Sequence, residues 1–405
     1  MPARKLLTAT LLLGLSAPLW AAKRVDLDYR VRFLPVEDQA EVTLTLEKGE
    51  VVRSLDFNLG DKSYYSDFKT NGDWQPSAER GIWKPAKGKS TLSYRVKISH
   101  PRDNGKFDAR MTADWALLRG DDLVPAARLD LEDKVELVSH LRFDLPNGWK
   151  SIETGWPRVG KNTFLIDNPS RQFDRPTGWM LAGRLGSRRA QLGLTDVSVV
   201  APIGEGMRRM DILTLLTFIW PEVQAVFPRD PAKLLIVGAG DPMWRGGLSA
   251  PNSIFMHSDR PLVSENGTSS LVHELVHVFT RIKDTDRSDW ISEGLAEYYS
   301  IELIHRAGGM SEDRYQAVRK KLTTWSKKVS SLRTENSTGP VTARAVLLLQ
   351  ELDREIRKNT DNQHSLDDVT RGLMRLDKAS TEDFIAISEN VMGRSSRVLD
   401  SKLLR

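Results

Sequence analysis

The sequence contains no cysteine among its 405 residues. This absence excludes a thiol nucleophile, a disulfide framework, cysteine ligation of a metal, and a lipid attached to a cysteine at the end of a leader. Charge of one sign is not in large excess either. The chain has 59 Lys and Arg residues and 54 Asp and Glu residues, which gives a formal net charge of +5. So small a surplus does not favour nucleic acid as a partner.

Long apolar runs are absent beyond residue 20, so the sequence predicts no stable membrane insertion. The one apolar stretch of note, Leu6–Trp20, follows two basic residues and precedes two alanines. This order is typical of a cleavable signal peptide over 1–22, and a retained membrane anchor is the alternative. We therefore expect a periplasmic or secreted protein whose mature chain begins near Lys23.

Residues 23–190 contain segments that alternate apolar and polar residues, or are rich in β-branched residues, between clusters of Gly, Pro, Asn and Asp. The length of the chain leaves room for about two to three domains. We predict that 23–190 forms an antiparallel β-sandwich domain. The strand-like segments are Arg24–Phe33, Ala40–Leu46, Ser90–Ile98 and Val135–Phe143.

The pattern changes after residue 190. Three short strand-like segments come first, namely Val197–Ala201, Lys233–Val237 and Ser253–Met256. Beyond Thr268 nearly every segment has helical periodicity, with Ser, Thr or Asp at the expected capping positions. Those positions are Ser269 or Ser270, Asp289, Ser311, Ser365, and Ser380 or Thr381. The sequence thus predicts an α+β domain over 191–405, a small sheet followed by about five or six helices.

One predicted helix contains His273-Glu274-Leu275-Val276-His277, an H-E-x-x-H motif. The spacing of four positions points both imidazoles from one helix face towards one metal ion. Glu274 can then reach a metal-activated water and act as the general base. The alternative is a pair of core histidines with ordinary hydrogen-bond partners.

A catalytic zinc site requires a third protein ligand and an open position for water. Glu293, on the next predicted helix, is the candidate ligand for one Zn²⁺ per chain, because the intervening residues leave room for a loop and a returning helix. Glu297 follows one helical turn later on the same face. We predict that it orients a histidine N–H, and the alternative is an ordinary solvated carboxylate.

At these residues the chain resembles a known group. The HELVH motif followed by WISEGLAEYYS is similar to the gluzincin metallopeptidases and, within them, to the glycyl aminopeptidase-like family. Arg245-Gly246-Gly247-Leu248 resembles the substrate strand of that family, and 345–374 resembles its C-terminal helix pair. The resemblance implies a thermolysin-like catalytic domain, zinc on His273, His277 and Glu293, and catalysis by Glu274.

Two positions depart from the family pattern. The substrate strand of the family continues with an acidic residue that holds a free amino terminus, whereas this chain has Ser249-Ala250. The position of the family's transition-state tyrosine is occupied by Thr342, which is too short to replace a phenol donor. The side chains that could substitute for it are Tyr298, Tyr299, Tyr315, His305 and Arg344.

The leading hypothesis is an exported zinc metallopeptidase that cleaves peptide or protein substrates, an endopeptidase or an enzyme of atypical specificity. Its substrate backbone would bind along Gly247, Leu248 and Ser249 by strand addition. The alternatives are an inactive, zinc-binding peptide receptor, an aminopeptidase, and an amidase or esterase with the same zinc chemistry. The sequence gives no basis for predicting the oligomeric state.

Overall fold

The computed structural model describes residues 23–60, 64–167 and 173–405. The predicted signal peptide, 1–22, lies outside the described residues. None of the helices in the described part of the chain combines the length and the hydrophobicity that a membrane crossing requires.

Strands dominate the first half of the described chain, and buried and exposed residues alternate along most of them. In β1, every second residue from Val25 to Phe33 is buried. Consecutive side chains of a strand point to opposite faces of the sheet, so one face of β1 packs in the core. The elements are β1 (Lys23–Leu34), β2 (Gln39–Leu46), β3 (Val52–Asn58), β4 (Tyr65–Thr70), β5 (Asp73–Pro76), β6 (Arg80–Lys84), β7 (Ser90–Lys97), β8 (His100–Pro101), β9 (Phe107–Met111), β10 (Trp115–Arg119), α1 (Gly120–Leu123), β11 (Ala127–Leu131), β12 (Val135–Asp144), β13 (Ser151–Thr154), β14 (Arg158–Gly160), β15 (Thr163–Ile166) and β16 (Trp179–Gly183).

These strands form three sheets within the described residues. Their orders are β14-β15-β12-β1-β2-β7-β4, β11-β3-β6-β5 and β13-β16-β10-β9-β8. One hydrophobic core joins all three, with Leu27, Leu55 and Met180 as examples from each.

Strand direction is where the sandwich prediction fails. Neighbouring strands of the three sheets are antiparallel, except that β1 and β12 are parallel over ten residue pairs. The prediction of an entirely antiparallel arrangement is therefore wrong for this pair. The physical reason is that the alternation of apolar and polar residues specifies which face of a strand is buried, but not the direction of a partner strand about 110 residues away.

The second half contains one more sheet and most of the helices. Its elements are β17 (Leu185–Leu192), β18 (Thr195–Pro202), α2 (Arg209–Val226), β19 (Lys233–Val237), β20 (Gly247–Ala250), β21 (Ser253–Met256), α3 (Ser270–Thr280), α4 (Trp290–Arg306), α5 (Glu312–Trp325), α6 (Pro340–Asn359), α7 (Leu366–Leu373) and α8 (Thr381–Met392). The sheet order is β17-β18-β19-β21-β20, so β20 is an edge strand. It runs antiparallel to β21, whereas β18, β19 and β21 are parallel.

The predicted α+β character of the second half is confirmed by these elements, and so are the helix starts. Ser269, Ser311, Ser365 and Ser380 each accept a backbone hydrogen bond at the first turn of a helix. The sequence prediction missed α2, which connects the parallel strands β18 and β19. Pro221 inside this helix hid it, because proline is a strong signal against a helix interior.

The division into two domains at residue 190 stays a prediction. Residue 190 itself lies inside β17, which pairs with β18 along its whole length. The change from one sheet to the next therefore falls between β16 and β17, near Arg184. A separate hydrophobic cluster lies across this change, and it packs Trp115, Leu117 and Trp179 against Val237 and Phe255.

Candidate metal centre

Helix α3 presents a single polar stripe to solvent. Its start is fixed by Ser269, whose hydroxyl accepts a hydrogen bond from the backbone N–H of Val272 (3.3 Å). Within the helix, the residues from Leu271 to Thr280 are buried except for three, which are partly exposed. Those three are His273, Glu274 and His277. Burial of the other faces therefore leaves the three polar residues of the motif on the partly exposed side of the helix.

Helix α4 is still more deeply buried, and its two partly exposed residues between Trp290 and Ser300 are Glu293 and Glu297. Gly294 allows α4 to approach α6 closely, because a Cβ atom at this position would lie 2.8 Å from the Cβ of Ala345. The glycine next to Glu293 thus sets the depth at which this carboxylate reaches the cavity.

The two helices bring three potential ligand residues together. Nε2 of His273 lies 3.2 Å from Nε2 of His277 and 3.3 Å from Oε2 of Glu293. Nε2 of His277 lies 3.4 Å from Oε1 of Glu293. Ligand atoms about 2 Å from a tetrahedral zinc ion are about 3.3 Å from one another. The donor set and its spacing therefore fit a zinc ion held by two imidazoles and one carboxylate.

The pKa values of the ligand residues depend strongly on the contacts that these residues make with one another. Burial favours the neutral imidazole of His273, but its contacts with Glu293 and Glu297 outweigh burial and raise its pKa to about 10, so a metal that binds Nε2 must displace a proton from this ring. Burial also disfavours the charged form of Glu293, yet its contacts with His273 and His277 lower its pKa to about 2. The carboxylate is thus ionised at neutral pH, which is the form that binds a metal.

Glu297 lies behind the ligand set. Nδ1 of His273 donates a hydrogen bond to Oε2 of Glu297 at 3.0 Å. With Nδ1 bound in this way, Nε2 is the nitrogen left to face the cavity. This is the contact that the sequence prediction for Glu297 requires, and its orienting role stays a prediction.

Edge strand β20 lies beside Glu274. The backbone N–H of Ser249 donates a hydrogen bond to Oε2 of Glu274 (2.8 Å). Gly247 permits the close approach, since a Cβ atom there would lie 3.2 Å from Cγ of Glu274 and 2.9 Å from the sulfur of Met256. The predicted substrate strand, Gly247 to Ser249, thus reaches the same cavity as the predicted general base.

The cavity at the ligand residues has a volume of about 370 Å³. Thr342 lines it, but its hydroxyl donates to the backbone carbonyl of Ser337 (3.0 Å). None of the five side chains that the sequence offered as substitutes for a tyrosine lines this cavity: Tyr298, Tyr299, Tyr315, His305 and Arg344. Tyr299, for example, is fully buried and contacts Asp367 and Thr370.

A second group of potential ligands fits a metal less well than the first. It consists of Asp241, His257 and Asp259. Its ligand atoms also lie within 4.8 Å of one another. However, Lys106 and Arg245 form ion pairs with Asp241, and Arg245 also reaches Asp259 at 3.6 Å. The negative charge of this group is already compensated by cations of the protein, which disfavours a further cation.

The sequence-based prediction of the site did not include two residues that the structure places there. Trp179 of β16 donates a hydrogen bond from its indole Nε1 to the carbonyl of Leu248 in β20 (2.9 Å). Arg260 lines the cavity, and its Nη2 donates to the hydroxyl of Ser270 at the start of α3 (3.1 Å). No sequence pattern links these residues to the motif, because both come from outside the two motif helices.

Comparison with known proteins finds similarity in structure only. No family model and no curated protein matches the sequence. An aminopeptidase N family protein from Idiomarina loihiensis superposes with a TM-score of 0.66 at 18% identity, covering 86% of this chain and 70% of that protein. An M1 zinc metallopeptidase from Deinococcus radiodurans gives 0.59 at 16% identity, covering 95% and 94%. A variant of an M1 zinc metallopeptidase from the same organism, bound to a Tyr-Ser-Ala substrate, gives 0.58 at 15% identity, covering 94% and 93%.

These neighbours establish the fold. The chain has the architecture of M1 zinc metallopeptidases, and the coarser prediction of a multidomain fold built of sheets and helices is confirmed. The narrower similarity to the glycyl aminopeptidase-like family stays a prediction.

Proposed function

We propose that this chain is a zinc-dependent metallopeptidase that hydrolyses peptide bonds. The observation that carries the proposal is the convergence of His273, His277 and Glu293 at the mutual spacing of tetrahedral ligands. Glu274, which a purely structural metal site does not need, lies on the same helix face. The fold shared with M1 zinc metallopeptidases supports the same conclusion.

Each residue of the proposed site has a separate role in the reaction. Zinc, when bound, polarises a carbonyl group and makes water acidic enough to lose a proton at neutral pH. Glu274 accepts that proton on its carboxylate and returns it to the nitrogen of the departing amine. Glu297 holds the imidazole of His273 in the tautomer that leaves Nε2 free for the metal.

The substrate backbone would bind in an extended conformation along β20. This strand has one neighbouring strand in the sheet, β21, and we propose that the substrate pairs with its other edge. Positions 249 and 250 are Ser and Ala, so they provide no acidic side chain to bind a protonated amino terminus. We therefore propose an endopeptidase or an enzyme of atypical specificity, while an aminopeptidase fits the fold of the neighbours equally well.

Replacement of the general base tests this mechanism. Glu274→Gln should keep zinc bound but reduce hydrolysis of a peptide mixture roughly 10²- to 10⁴-fold, because the amide cannot accept the proton. Zinc content is measured by metal analysis, and cut sites are mapped by mass spectrometry. Glu222→Gln, which alters a carboxylate of α2 away from the cavity, is the matched control and should cleave normally. Unchanged turnover by Glu274→Gln would refute the mechanism.

A second candidate function is a zinc-containing peptide receptor without activity. One observation favours it, namely that, among the residues that the structure describes, no tyrosine lines the cavity to stabilise a developing oxyanion. Chelator-sensitive cleavage of any peptide by the wild-type protein would exclude this candidate. Cuts next to free amino termini would favour the aminopeptidase, and internal cuts the endopeptidase. Export of the mature chain from residue 23 onwards remains part of the proposal, on the basis of the leader sequence alone.

A further inference from the structure

A larger cavity opens directly from the one that contains the ligand residues. It has a volume of about 1010 Å³ and lies between α5 and the loop from Arg260 to Ser270. We call it the side cavity. The two cavities share six lining residues, so a substrate at the metal centre can extend from one into the other. The shared residues are Arg260, Thr268, Ser270, Glu297, Leu322 and Trp325.

The wall of the side cavity carries three cations. Arg260 comes from the loop, and Lys320 and Lys321 come from α5. In the part of the chain that the structure describes, Glu297 is the one acidic residue that lines it, and this carboxylate already contacts the imidazole of His273. Among the described residues, no carboxylate lies within ion-pair distance of Arg260, Lys320 or Lys321. The cavity therefore has uncompensated positive charge.

Two of the three cations are held in place by neutral acceptors. Arg260 donates to the hydroxyl of Ser270 (3.1 Å), and Nζ of Lys321 donates to the side-chain oxygen of Asn266 (3.3 Å). Gly267 (φ +83°) packs the loop against α5, since a Cβ atom there would lie 2.3 Å from Cγ2 of Val318. Such contacts orient the cations without neutralising them.

Apolar side chains complete the wall. Val318 and Leu322 are buried beneath it, whereas the side chain of Trp325 is 58% exposed and lines both cavities. A ligand that combines an apolar surface with a negative group would bury the first and bind the second to the cations. A protonated amine would instead meet like charge.

We infer that the side cavity binds a carboxylate of the substrate, so that the enzyme prefers peptides that carry an acidic group near the cleaved bond. This inference rests on the proposed peptidase function and names its substrate class. The carboxylate can belong to an Asp or Glu side chain or to the C-terminus of the peptide. Two or three exposed cations that face one carboxylate should give a preference of about tenfold for the acidic peptide.

The test uses three N-acetylated peptides of one parent sequence with the zinc-loaded protein. The first has a C-terminal amide and no acidic residue, the second has one Gln replaced by Glu, and the third has a free C-terminal carboxylate. We expect kcat/KM for at least one acidic peptide to exceed that of the neutral peptide about tenfold. The acidic peptide that the enzyme cleaves faster identifies whether the carboxylate belongs to a side chain or to the C-terminus.

Variants connect this preference to the cavity. Arg260→Gln, and Lys320→Gln combined with Lys321→Gln, should each reduce the ratio of kcat/KM between acidic and neutral peptides at least threefold. Lys327→Gln removes an exposed lysine just beyond α5 that does not line the cavity, and it should leave the ratio unchanged. Calorimetric binding of the same peptides to Glu274→Gln gives a readout that does not depend on turnover.

The outcomes separate the two proposals. Cleavage of all three peptides at equal rates, or a preference that survives the cavity substitutions, would overturn the inference and leave the peptidase function intact. Absence of cleavage combined with tighter, variant-sensitive binding of acidic peptides would support the inference and refute the endopeptidase, since N-acetylated peptides have no free amino terminus for an aminopeptidase. Cleavage that favours the neutral peptide would overturn the assignment of the cavity outright.

Discussion

Among single side chains, Glu297 connects the metal ligands to the interior of the protein. Its Oε2 accepts a hydrogen bond from His273, and the hydroxyl of Ser300 donates to its backbone carbonyl (2.8 Å) and lies 3.4 Å from its carboxylate. Such a contact fixes the ring orientation and raises the basicity of the coordinating nitrogen. The carboxylate thus acts on the metal through His273.

Glu297→Gln should weaken zinc binding roughly 10- to 100-fold, because a neutral amide orients the imidazole less strongly. Competition with a chromogenic chelator measures the zinc dissociation constant. Glu222→Gln serves again as the control with an unchanged constant. An unaltered zinc affinity in Glu297→Gln would contradict the orienting role.

Asp284 introduces a pH dependence of stability. Burial raises its pKa from 3.8 to about 6, against the hydroxyl and backbone N–H donors of Ser292. Its folded form therefore holds a proton more tightly than its unfolded form, and this contribution to stability is complete below pH 4. It is lost as the pH rises through 6.

Asp284→Asn removes this buried charge. The free energy of unfolding of the variant relative to wild type should rise by about 2–3 kcal/mol between pH 4 and pH 7.5, in line with two pKa units. Urea denaturation at a series of pH values, with chelator present, measures the difference. A difference that does not depend on pH would show that Asp284 titrates normally.

At the scale of helices and strands, the site depends on how closely α4 packs on α6. Gly294→Ala should place its methyl group against Ala345 and destabilise the fold by about 1–3 kcal/mol. Denaturation midpoints measure the loss. Ala345→Gly in the same chain should restore much of it, since the double substitution removes the clash. Equal stability of the single and double variants would refute the steric explanation.

The elements differ in how well the sequence predicts them. Helices α7 and α8 begin at capping boxes formed by Ser365 with Asp368 and Ser380 with Asp383, and such local hydrogen bonds leave a local sequence signal. The H-E-x-x-H motif is equally local. Helix α2 gave no such signal, because its N-cap residue, Arg208, makes no capping bond and Pro221 interrupts its pattern.

Across the whole molecule, the first half of the chain contacts β20, the proposed substrate strand of the second half. Trp179 belongs to β16, yet its indole bonds the carbonyl of Leu248 and its backbone N–H bonds the hydroxyl of Ser253. Contacts between residues some 70 positions apart follow from the packing of sheets, which a single sequence does not specify.

Trp179→Phe keeps the aromatic packing but removes the donor to Leu248. The unpaired carbonyl costs about 1–3 kcal/mol, so we expect kcat/KM for peptides to fall roughly tenfold. Trp83→Phe is the matched control, because Trp83 is also fully buried and donates to Thr70, remote from β20. Both variants should lose stability, but a similar loss of kcat/KM in both would refute a role in substrate positioning.

The three ligand residues occupy a short stretch of chain, from 273 to 293, across α3, one loop and α4. The entropy lost when a metal closes a loop rises with the logarithm of its length, so this closure costs less than joining ligands from remote parts of the chain. Zinc capture therefore requires the pairing of two adjacent helices and not the completed first half. An ion bound to that hairpin would favour its formation during folding, and the metal would then assist assembly as well as catalysis.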